Sequence, residues 1–457
     1  MNNVFEIICA PATPAGFSAL AIIRLSGLGC IELVAKHFSK SKELLSLSSH
    51  RLILGTFHSA AGEAIDEVLL SVFREPHSYT GEDVVEISCH GNPNLVNSIL
   101  QTLMLSCRLA KPGEFTLRAF LNGKMDLSQA EAVNDLIQAQ TSKAEKASFR
   151  QLKGSLSQYL QELLNRITEL RIHFELAIDF ADQDLPLPDF DLMHQELIDI
   201  IQKAEELIST GEQGKKLRTG IKICLTGAPN VGKSSLFNAL LQQNRAIVTP
   251  HPGTTRDYLE EYLSINGFPI VIYDTAGLRE SPDDIEKMGI AKSYELMQES
   301  DLLLYLVETT AAVKLAQPIS TLLSNSSLAP ELFAKTLVVF SKADLQKENL
   351  PPIAGGVYCS VVTENGLKDL TETISQRLLL SDDLPDKPIL INNRHLIALA
   401  NCLQSLHQAE QCLVENQGFE FIAFELISAS NALEEILGII TTDDLLNKIF
   451  SEFCIGK

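Results

Sequence analysis

The sequence predicts a multidomain protein with three kinds of domain: an α+β domain, an all-α domain divided in two, and an inserted α/β domain. A chain of 457 residues is long enough for roughly three domains. Its first part mixes short strand-like runs with glycine and proline, which indicates α+β structure. Further along, alternating strands and helices are flanked by helical patterns on both sides. This arrangement predicts an α/β domain inserted into a discontinuous helical domain.

The domain boundaries are placed where these patterns change. The α+β domain, the first helical part, the α/β domain and the second helical part are predicted at residues 1–121, 122–216, 217–380 and 381–457. The first helical part reads as continuous helix over Asp126–Asp179, and Ser128 with Glu131 has the spacing of a capping box. A second helix is predicted over about Asp191–Thr210.

Charge and cysteine content limit the functional classes. The net charge of −21 repels polyanions, so an RNA-binding role requires a local basic patch. A stripe on a predicted helix could supply it, although a merely solvated helix face is the alternative. The stripe consists of Lys143, Lys146, Arg150 and Lys153. Nine cysteines without a Cys-x-x-Cys pair, short apolar runs and the lack of a signal peptide predict a cytoplasmic protein without membrane association.

A phosphate-binding loop is the first motif of the α/β domain. The apolar strand Lys222–Thr226 leads into Gly227-Ala-Pro-Asn-Val-Gly-Lys233-Ser234, and a helix follows. This is the G-x-x-x-x-G-K-S pattern in its strand–loop–helix context. Its backbone N–H groups surround phosphate oxygens, Lys233 reaches the β- and γ-phosphates, and Ser234 ligates Mg²⁺. The predicted loop contacts are Asn230, Val231, Gly232, Lys233, Ser234 and Ser235.

Two further segments follow in the order that a nucleotide switch requires. Thr255 in Gly253-Thr-Thr-Arg-Asp is the expected switch threonine, which closes on Mg²⁺ and the γ-phosphate. A buried strand then ends in Asp274-Thr275-Ala276-Gly277, a D-x-x-G motif. Asp274 would hold Mg²⁺ through water, and the Gly277 amide would sense the γ-phosphate.

The base-recognition segment predicts guanine. The strand Leu337–Phe340 leads into Ser341-Lys342-Ala343-Asp344. The Asp344 carboxylate accepts two hydrogen bonds that guanine can donate and adenine cannot, so it selects GTP over ATP. Ser341 replaces the usual asparagine of N-K-x-D, which predicts weaker nucleotide affinity. The loop Ser360-Val361-Val362 is expected on the ribose and base side.

The residue that orients the attacking water is not the usual glutamine. Its position just after D-x-x-G holds Leu278, which cannot orient water. Hydrolysis is therefore very slow, or a carboxylate and a cation take over. Glu286, Asp283 and Asp284 are the candidate carboxylates, and a solvated acidic loop is the alternative for each.

Together with sequence signatures at both ends, these motifs resemble the tRNA modification GTPase MnmE (TrmE) family over essentially the whole chain. The signatures include Arg24-Leu-Ser-Gly, Tyr79-Thr-Gly-Glu-Asp-Val-Val-Glu86, Pro112-Gly-Glu-Phe-Thr, Arg118-Ala-Phe-Leu-Asn-Gly-Lys124 and Phe453-Cys454-Ile-Gly-Lys457. The resemblance implies that residues 1–121 form a folate-binding and homodimerisation domain. Its 5-formyl- or methylene-tetrahydrofolate pocket would use Arg24, Glu86, Lys124 and Lys457.

The resemblance also implies K⁺ activation of a Ras-like GTPase domain. Asn230, Thr249, His251 and Thr254 would contribute K⁺ ligands, and Thr249 would also contact the nucleotide. Glu286 is implied as the water-orienting residue, and Cys454 as a residue of the modification chemistry. A buried, inert thiol is the alternative for Cys454.

The resulting functional hypothesis is a K⁺-activated GTPase that acts with an FAD-dependent partner, MnmG (GidA), in a heterotetramer. The pair would add a (carboxymethyl)aminomethyl group to C5 of the wobble uridine of certain tRNAs. GTP, Mg²⁺, K⁺ and the folate are the implied cofactors. A ribosome-assembly-type regulatory GTPase and a stand-alone folate-dependent one-carbon transferase are the alternatives.

Overall fold

The computed structural model describes residues 6–179, 190–244, 260–274, 293–310, 319–324, 326, 328–345, 355–380 and 387–457. The strands are β1 Ile8–Pro11, β2 Ser18–Ser26, β3 Arg51–His58, β4 Ala64–Phe73, β5 Val84–Gly91, β6 Arg108–Leu109, β7 Ile221–Gly227, β8 Glu260–Ile265, β9 Phe268–Asp274, β10 Leu302–Glu308, β11 Thr336–Ser341 and β12 Gly356–Tyr358.

Helices make up most of the remaining described structure. They are α1 Cys30–Ala35, α2 Ser41–Ser46, α3 Pro93–Leu103, α4 Glu114–Leu121, α5 Leu127–Gln138, α6 Ser142–Leu152, α7 Ser155–Asp179, α8 Phe190–Ser209, α9 Gly211–Thr219, α10 Lys233–Asn244, α11 Ile319–Ser324, α12 Leu367–Arg377, α13 Asn393–Val414, α14 Phe419–Leu437 and α15 Asp443–Ser451. Short 3₁₀ helices cover Pro330–Lys335 and Ala343–Leu345. Within the described residues, no helix is both long and apolar enough to cross a membrane.

The chain divides into two compact units. Unit 1 contains Met1–Asn134, Leu152–Arg171 and Ala423–Lys457, and unit 2 contains Asp135–Gln151 and Ile172–Ile422. Both are discontinuous in sequence. The predicted division into four segments stays a prediction, because these units are defined by compactness rather than by fold.

Unit 1 is built on a mixed six-stranded sheet with the order β3-β4-β5-β2-β1-β6. Its pairs are antiparallel except for β1 with β6. The alternating burial along β4 and β5 shows that one face is packed, as is typical of such a sheet. That face forms a core with α1 and α3, which includes Ile23, Leu70 and Ile87. The α+β class predicted for this part of the chain is confirmed.

Unit 2 contains a second six-stranded sheet with the order β12-β11-β10-β7-β9-β8. All its pairs are parallel except the β8–β9 hairpin. Every residue of β11 is buried, which is characteristic of a strand covered on both faces. The carboxyl ends of the parallel strands lie at one edge, where open α/β sheets bind ligands. The predicted α/β architecture is confirmed.

The continuous helix predicted over Asp126–Asp179 is wrong, because the chain forms α5, α6 and α7. Gly154 lies between α6 and α7 with φ +87°, a conformation that does not continue a helix. The capping box predicted at Ser128 and Glu131 is also wrong. Asp126 accepts from the Gln129 N–H at 2.9 Å, and the Gln129 side chain accepts from the Asp126 N–H at 3.0 Å.

Candidate nucleotide site and a second polar cluster

The phosphate loop connects β7 to α10 through a backbone that its sequence specifies. Gly227 has φ +143°, and a Cβ there would lie 2.5 Å from the Leu306 carbonyl oxygen, so only glycine fits. Asn230 at φ +62° and Gly232 at φ +99° continue the turn. Successive residues of this kind turn backbone N–H groups toward one concave surface, which together with the α10 N-terminus suits an anion.

Lys233 and Ser234 begin α10 inside this loop. The Lys233 ammonium donates to the carbonyl oxygens of Gly227 at 3.1 Å and Ala228 at 2.8 Å, so the side chain curls over its own loop. Lys233 is buried. A buried ammonium above a concave row of N–H groups has the chemistry that a phosphate chain requires.

Ser234 and Asp274 come together although 40 residues separate them. The Ser234 hydroxyl donates to the Asp274 carboxylate at 2.9 Å, because the parallel pairing of β7 with β9 aligns Leu225 with Asp274. A hydroxyl and a carboxylate beside a phosphate loop are hard oxygen donors of the kind that Mg²⁺ prefers. The residues present therefore fit a magnesium ion.

The base-recognition loop is tied to the phosphate loop. The Ser341 hydroxyl donates to the Val231 carbonyl oxygen at 2.6 Å, and its other contact, Val307 O, is at 3.3 Å. The Ser360 hydroxyl donates to the Asp344 carboxylate at 2.5 Å. These bonds join three loops at the same sheet edge, and Asp344 is oriented by a buried serine.

Two groups around this loop, Glu308 and Thr309, were not predicted from the sequence. Lys342, at φ +55°, forms an ion pair with Glu308 at 3.2 Å. The buried Thr309 hydroxyl donates to the Ser341 carbonyl oxygen at 2.6 Å. The sequence feature that could have identified these residues is the polar pair Glu308-Thr309, which ends an apolar strand at the carboxyl edge of the sheet. Val361 packs against the core beside them, whereas Val362 is exposed.

Unit 1 contains a second polar cluster around Arg24. Arg24 on β2 and Glu86 on β5 are register partners, and their side chains pair at 2.8 Å. The guanidinium also lies 5.5 Å from the Tyr79 ring centroid and 5.7 Å from that of Phe115, which is within cation–π range. Both aromatic residues stand in the quoted signatures, but their rings were not among the predicted contacts.

The C-terminal tail joins this cluster. The Gly456 carbonyl accepts from Arg24 at 3.3 Å, and the Lys457 carbonyl accepts from the Phe115 N–H at 3.2 Å. Gly456 has φ +93°, and a Cβ there would lie 2.2 Å from the Pro11 carbonyl oxygen. Burial lowers the pKa of the Lys457 ammonium and Arg24 lowers it further, while Glu86 and Cys454 oppose that shift.

One predicted member of this site, Lys124, stands apart in its contacts. Lys124 donates to the Pro76 carbonyl oxygen at 2.9 Å, and no described contact joins it to Arg24 or Glu86. Cys454 is exposed rather than buried, so the alternative of a buried, inert thiol is wrong.

Comparison with known proteins places the chain in a family. The family model for the MnmE helical domain matches residues 127–454, and the one for the GTP-binding protein TrmE N-terminus matches residues 7–124. A tRNA modification GTPase MnmE from Aquifex aeolicus is 41% identical, with 99% of this chain and 100% of the relative covered. The chain belongs to the MnmE family. MnmE proteins of Syntrophotalea carbinolica and Protochlamydia amoebophila are each 40% identical, over 99% of this chain and 99% and 98% of the relatives.

Solved structures give a weaker comparison. The G domain of the T. maritima FeoB iron transporter is 27% identical over 34% of this chain and 98% of that chain. Its TM-score is 0.24, too low to support a structural argument. The family assignment therefore depends on the MnmE family models and the full-length MnmE relatives.

Several predicted residues of this MnmE family member lie outside the described residues. They are the K⁺ and switch residues Thr249, His251, Thr254 and Thr255, the D-x-x-G residues Thr275, Ala276 and Gly277, and the water-orienting candidates with Leu278, namely Asp283, Asp284 and Glu286. The described part of the site brings together the phosphate loop, Asp274 and the two loops at the base end.

Proposed function

We propose that this chain is a K⁺-activated GTPase that acts with an FAD-dependent flavoprotein of the MnmG (GidA) type to modify C5 of the wobble uridine of certain tRNAs. One observation carries the proposal: a buried lysine, a Ser–Asp pair and a serine-oriented aspartate meet at one sheet edge. The full-length relatives support the tRNA role, because they are named tRNA modification GTPases.

Guanine selection is assigned to Asp344. Its carboxylate can accept from the ring N–H and the amino group of guanine, whereas adenine would leave it without a donor. Ser360 holds one carboxylate oxygen at 2.5 Å, which fixes the orientation before a base arrives. Preorganisation of this kind reduces the entropy lost on binding.

Metal binding is assigned to the two polar residues beside the phosphate loop. Ser234 and Asp274 would hold Mg²⁺, which neutralises charge on the phosphates. Asn230 is exposed at the loop tip, where its amide oxygen is available to K⁺. Thr249, His251 and Thr254 would complete the K⁺ ligands, and Glu286 would orient the attacking water in place of a glutamine. A monovalent cation near the transferred phosphoryl group supplies positive charge that other GTPases take from arginine.

The Arg24 cluster is proposed as the folate site. Glu86 can accept from the donor edge of a pterin, and Arg24 with Lys457 can pair with the glutamate tail. Tyr79 and Phe115 beside Arg24 offer aromatic surface to the ring system. Folate binding, homodimerisation through residues 1–121 and assembly with the flavoprotein would place a one-carbon unit near the tRNA, with exposed Cys454 beside it.

GTP hydrolysis in two salts tests the cation mechanism. We expect turnover in KCl to exceed turnover in NaCl at equal ionic strength by at least about tenfold, the size expected when a cation stabilises transition-state charge. Glu286→Ala should abolish turnover and leave GTP binding intact, whereas Lys233→Ala should lose both. Equal rates in the two salts would contradict K⁺ activation.

A further inference from the structure

Three lysines form a compact group at the turn between α1 and α2. Lys36 directly follows α1, Lys40 precedes α2, and Lys42 lies in its first turn. The seven residues from Lys36 to Lys42 contain no carboxylate. Lys36, His37, Lys40, Lys42 and His58 are called the basic corner.

Backbone hydrogen bonds hold this corner against the edge strand β3. The Ser39 N–H donates to the Thr56 carbonyl oxygen at 2.9 Å, and the Thr56 N–H donates to the Ser39 hydroxyl at 2.9 Å. The His58 N–H donates to the His37 carbonyl oxygen at 2.7 Å. These bonds bring His58 to His37 and hold the backbone of the segment between Lys36 and Lys40 against β3 before any partner binds.

The lysines of the basic corner are exposed and uncompensated. All three are exposed, and within the described residues no ion pair or hydrogen bond is made by their ammonium groups. Three arginines of unit 1 differ, because Arg24, Arg108 and Arg118 each pair with a glutamate. The carboxylates that flank the segment in sequence are Glu32 and Glu43. A cluster of unpaired positive charge is unusual in a chain of net charge −21.

The stripe on α6 is a weaker candidate for the same role. Lys143 has its ammonium 5.1 Å from the Phe268 ring centroid, and its side-chain carbons lie against Gly267. This lysine packs on the β8–β9 turn of unit 2, so it is engaged within the chain. Glu145 also lies on α6 and reduces the local charge.

We propose that the basic corner binds the phosphate backbone of tRNA, an inference that rests on the tRNA role proposed above. Three exposed lysines within seven residues of a fixed turn suit neighbouring phosphates, and serine hydroxyls at Ser39 and Ser41 are further donors to phosphate oxygens. Such contacts position an RNA and carry no base specificity. The basic corner therefore determines affinity, and the recognition of particular tRNAs belongs elsewhere.

A salt titration of tRNA binding tests this assignment with the full-length protein. The test variant is Lys36→Ala/Lys40→Ala/Lys42→Ala. The matched control, Lys215→Ala/Lys368→Ala/Lys448→Ala, removes the same charge from other exposed positions. Bulk tRNA is the probe, and unchanged GTP turnover with an unchanged melting temperature shows that both variants are folded.

We expect the corner variant to bind tRNA at least about tenfold more weakly and the slope of log K against log salt to fall by about two to three, since each lost phosphate contact removes about 0.7 to 0.9. The control should match the wild type. Equal affinity and slope in both variants would overturn the proposal, as would a wild-type chain that does not bind tRNA. Retained tRNA binding with loss of flavoprotein binding would also overturn it, by assigning the corner to a protein partner.

The tRNA-binding assignment of the basic corner and the proposed modification role can be contradicted independently. The wild-type protein can bind tRNA through the basic corner while deletion of the protein from cells leaves wobble-uridine modification unchanged. In that case the modification role is wrong, and the assignment of the basic corner to tRNA binding is retained.

Discussion

The Ser341 hydroxyl donates a 2.6 Å hydrogen bond to the carbonyl oxygen of Val231, which ties the base-recognition loop directly to the phosphate loop. Serine in place of the usual asparagine predicts weaker nucleotide binding, because its shorter side chain can lose a contact to the base or to the phosphate loop. The structure shows that the contact to the phosphate loop is present. The predicted loss of nucleotide affinity is thereby restricted to contacts with the base, because a serine hydroxyl reaches less far than an asparagine amide.

Substitution of Ser341 separates these two contributions. Ser341→Ala removes the bond to Val231 and should weaken GTP binding by about five- to tenfold, the equivalent of about 1 to 1.4 kcal/mol for one hydrogen bond. Ser341→Asn can restore a longer amide and should bind GTP at least as tightly as the wild type. Titration with a fluorescent GTP analogue measures both, and an alanine variant with wild-type affinity would refute the tethering role.

Asp344→Asn should change base preference rather than destroy the site. Xanthine has a carbonyl where guanine has an amino group, so an amide donor in place of the carboxylate matches xanthine and mismatches guanine. We expect GTP affinity to fall by at least about 100-fold, as expected when a hydrogen-bonding partner of the base is mismatched, and xanthosine triphosphate to bind instead. Competition between the two nucleotides measures the switch. Retention of guanine preference would place base selection elsewhere.

Substitutions in the Arg24–Glu86 pair should weaken folate binding and leave GTP affinity unchanged. Glu86→Gln keeps the size of the side chain but removes its charge, and Arg24→Lys removes the planar fork that pairs with carboxylates. Each should reduce 5-formyl-tetrahydrofolate binding by about tenfold or more, the scale of one charged hydrogen bond. Calorimetry measures this, with GTP affinity as the internal control. Unchanged folate binding in both variants would exclude this cluster as the pocket.

Gly456→Ala should release the C-terminal tail. Its φ of +93° disfavours alanine, and the added Cβ would lie 2.2 Å from the Pro11 carbonyl oxygen, so the tail must move. Gly62→Ala is the matched control, because Gly62 has φ +83° with nothing within 4 Å of its Cβ. We expect faster carboxypeptidase digestion and weaker folate binding only for the Gly456 variant. Equal digestion of the two variants would show that the close approach does not hold the tail.

Much of the fold could be predicted because local patterns agreed with the tertiary structure. The strand before Gly227, the strand ending at Asp274 and the strand before Ser341 were each predicted from an apolar run next to a motif, and each lies at the expected edge of the parallel sheet. Parallel strands buried on both faces are the elements that a sequence describes most directly.

The errors have a different physical origin. A continuous helix over Asp126–Asp179 was predicted because the apolar periodicity runs through Gly154. The backbone at Gly154 does not continue the helix, so separate helices form on either side of it. The basic corner was overlooked because the sequence does not show that its lysine ammonium groups have no ionic partner among the described residues, or that β3 brings His58 to His37. The Glu308–Lys342 pair likewise depends on which strands are neighbours, which the motif spacing does not specify.

Mass spectrometry of tRNA nucleosides tests the central claim most directly. Cells that lack the protein should lose the aminomethyl-type group at C5 of the wobble uridine, and the wild-type chain should restore it. Lys233→Ala, which retains the Arg24 cluster but not the buried ammonium of the phosphate loop, should not restore it. Wobble uridines that stay modified in the deletion strain, or full rescue by the Lys233 variant, would contradict a GTP-driven role in tRNA modification.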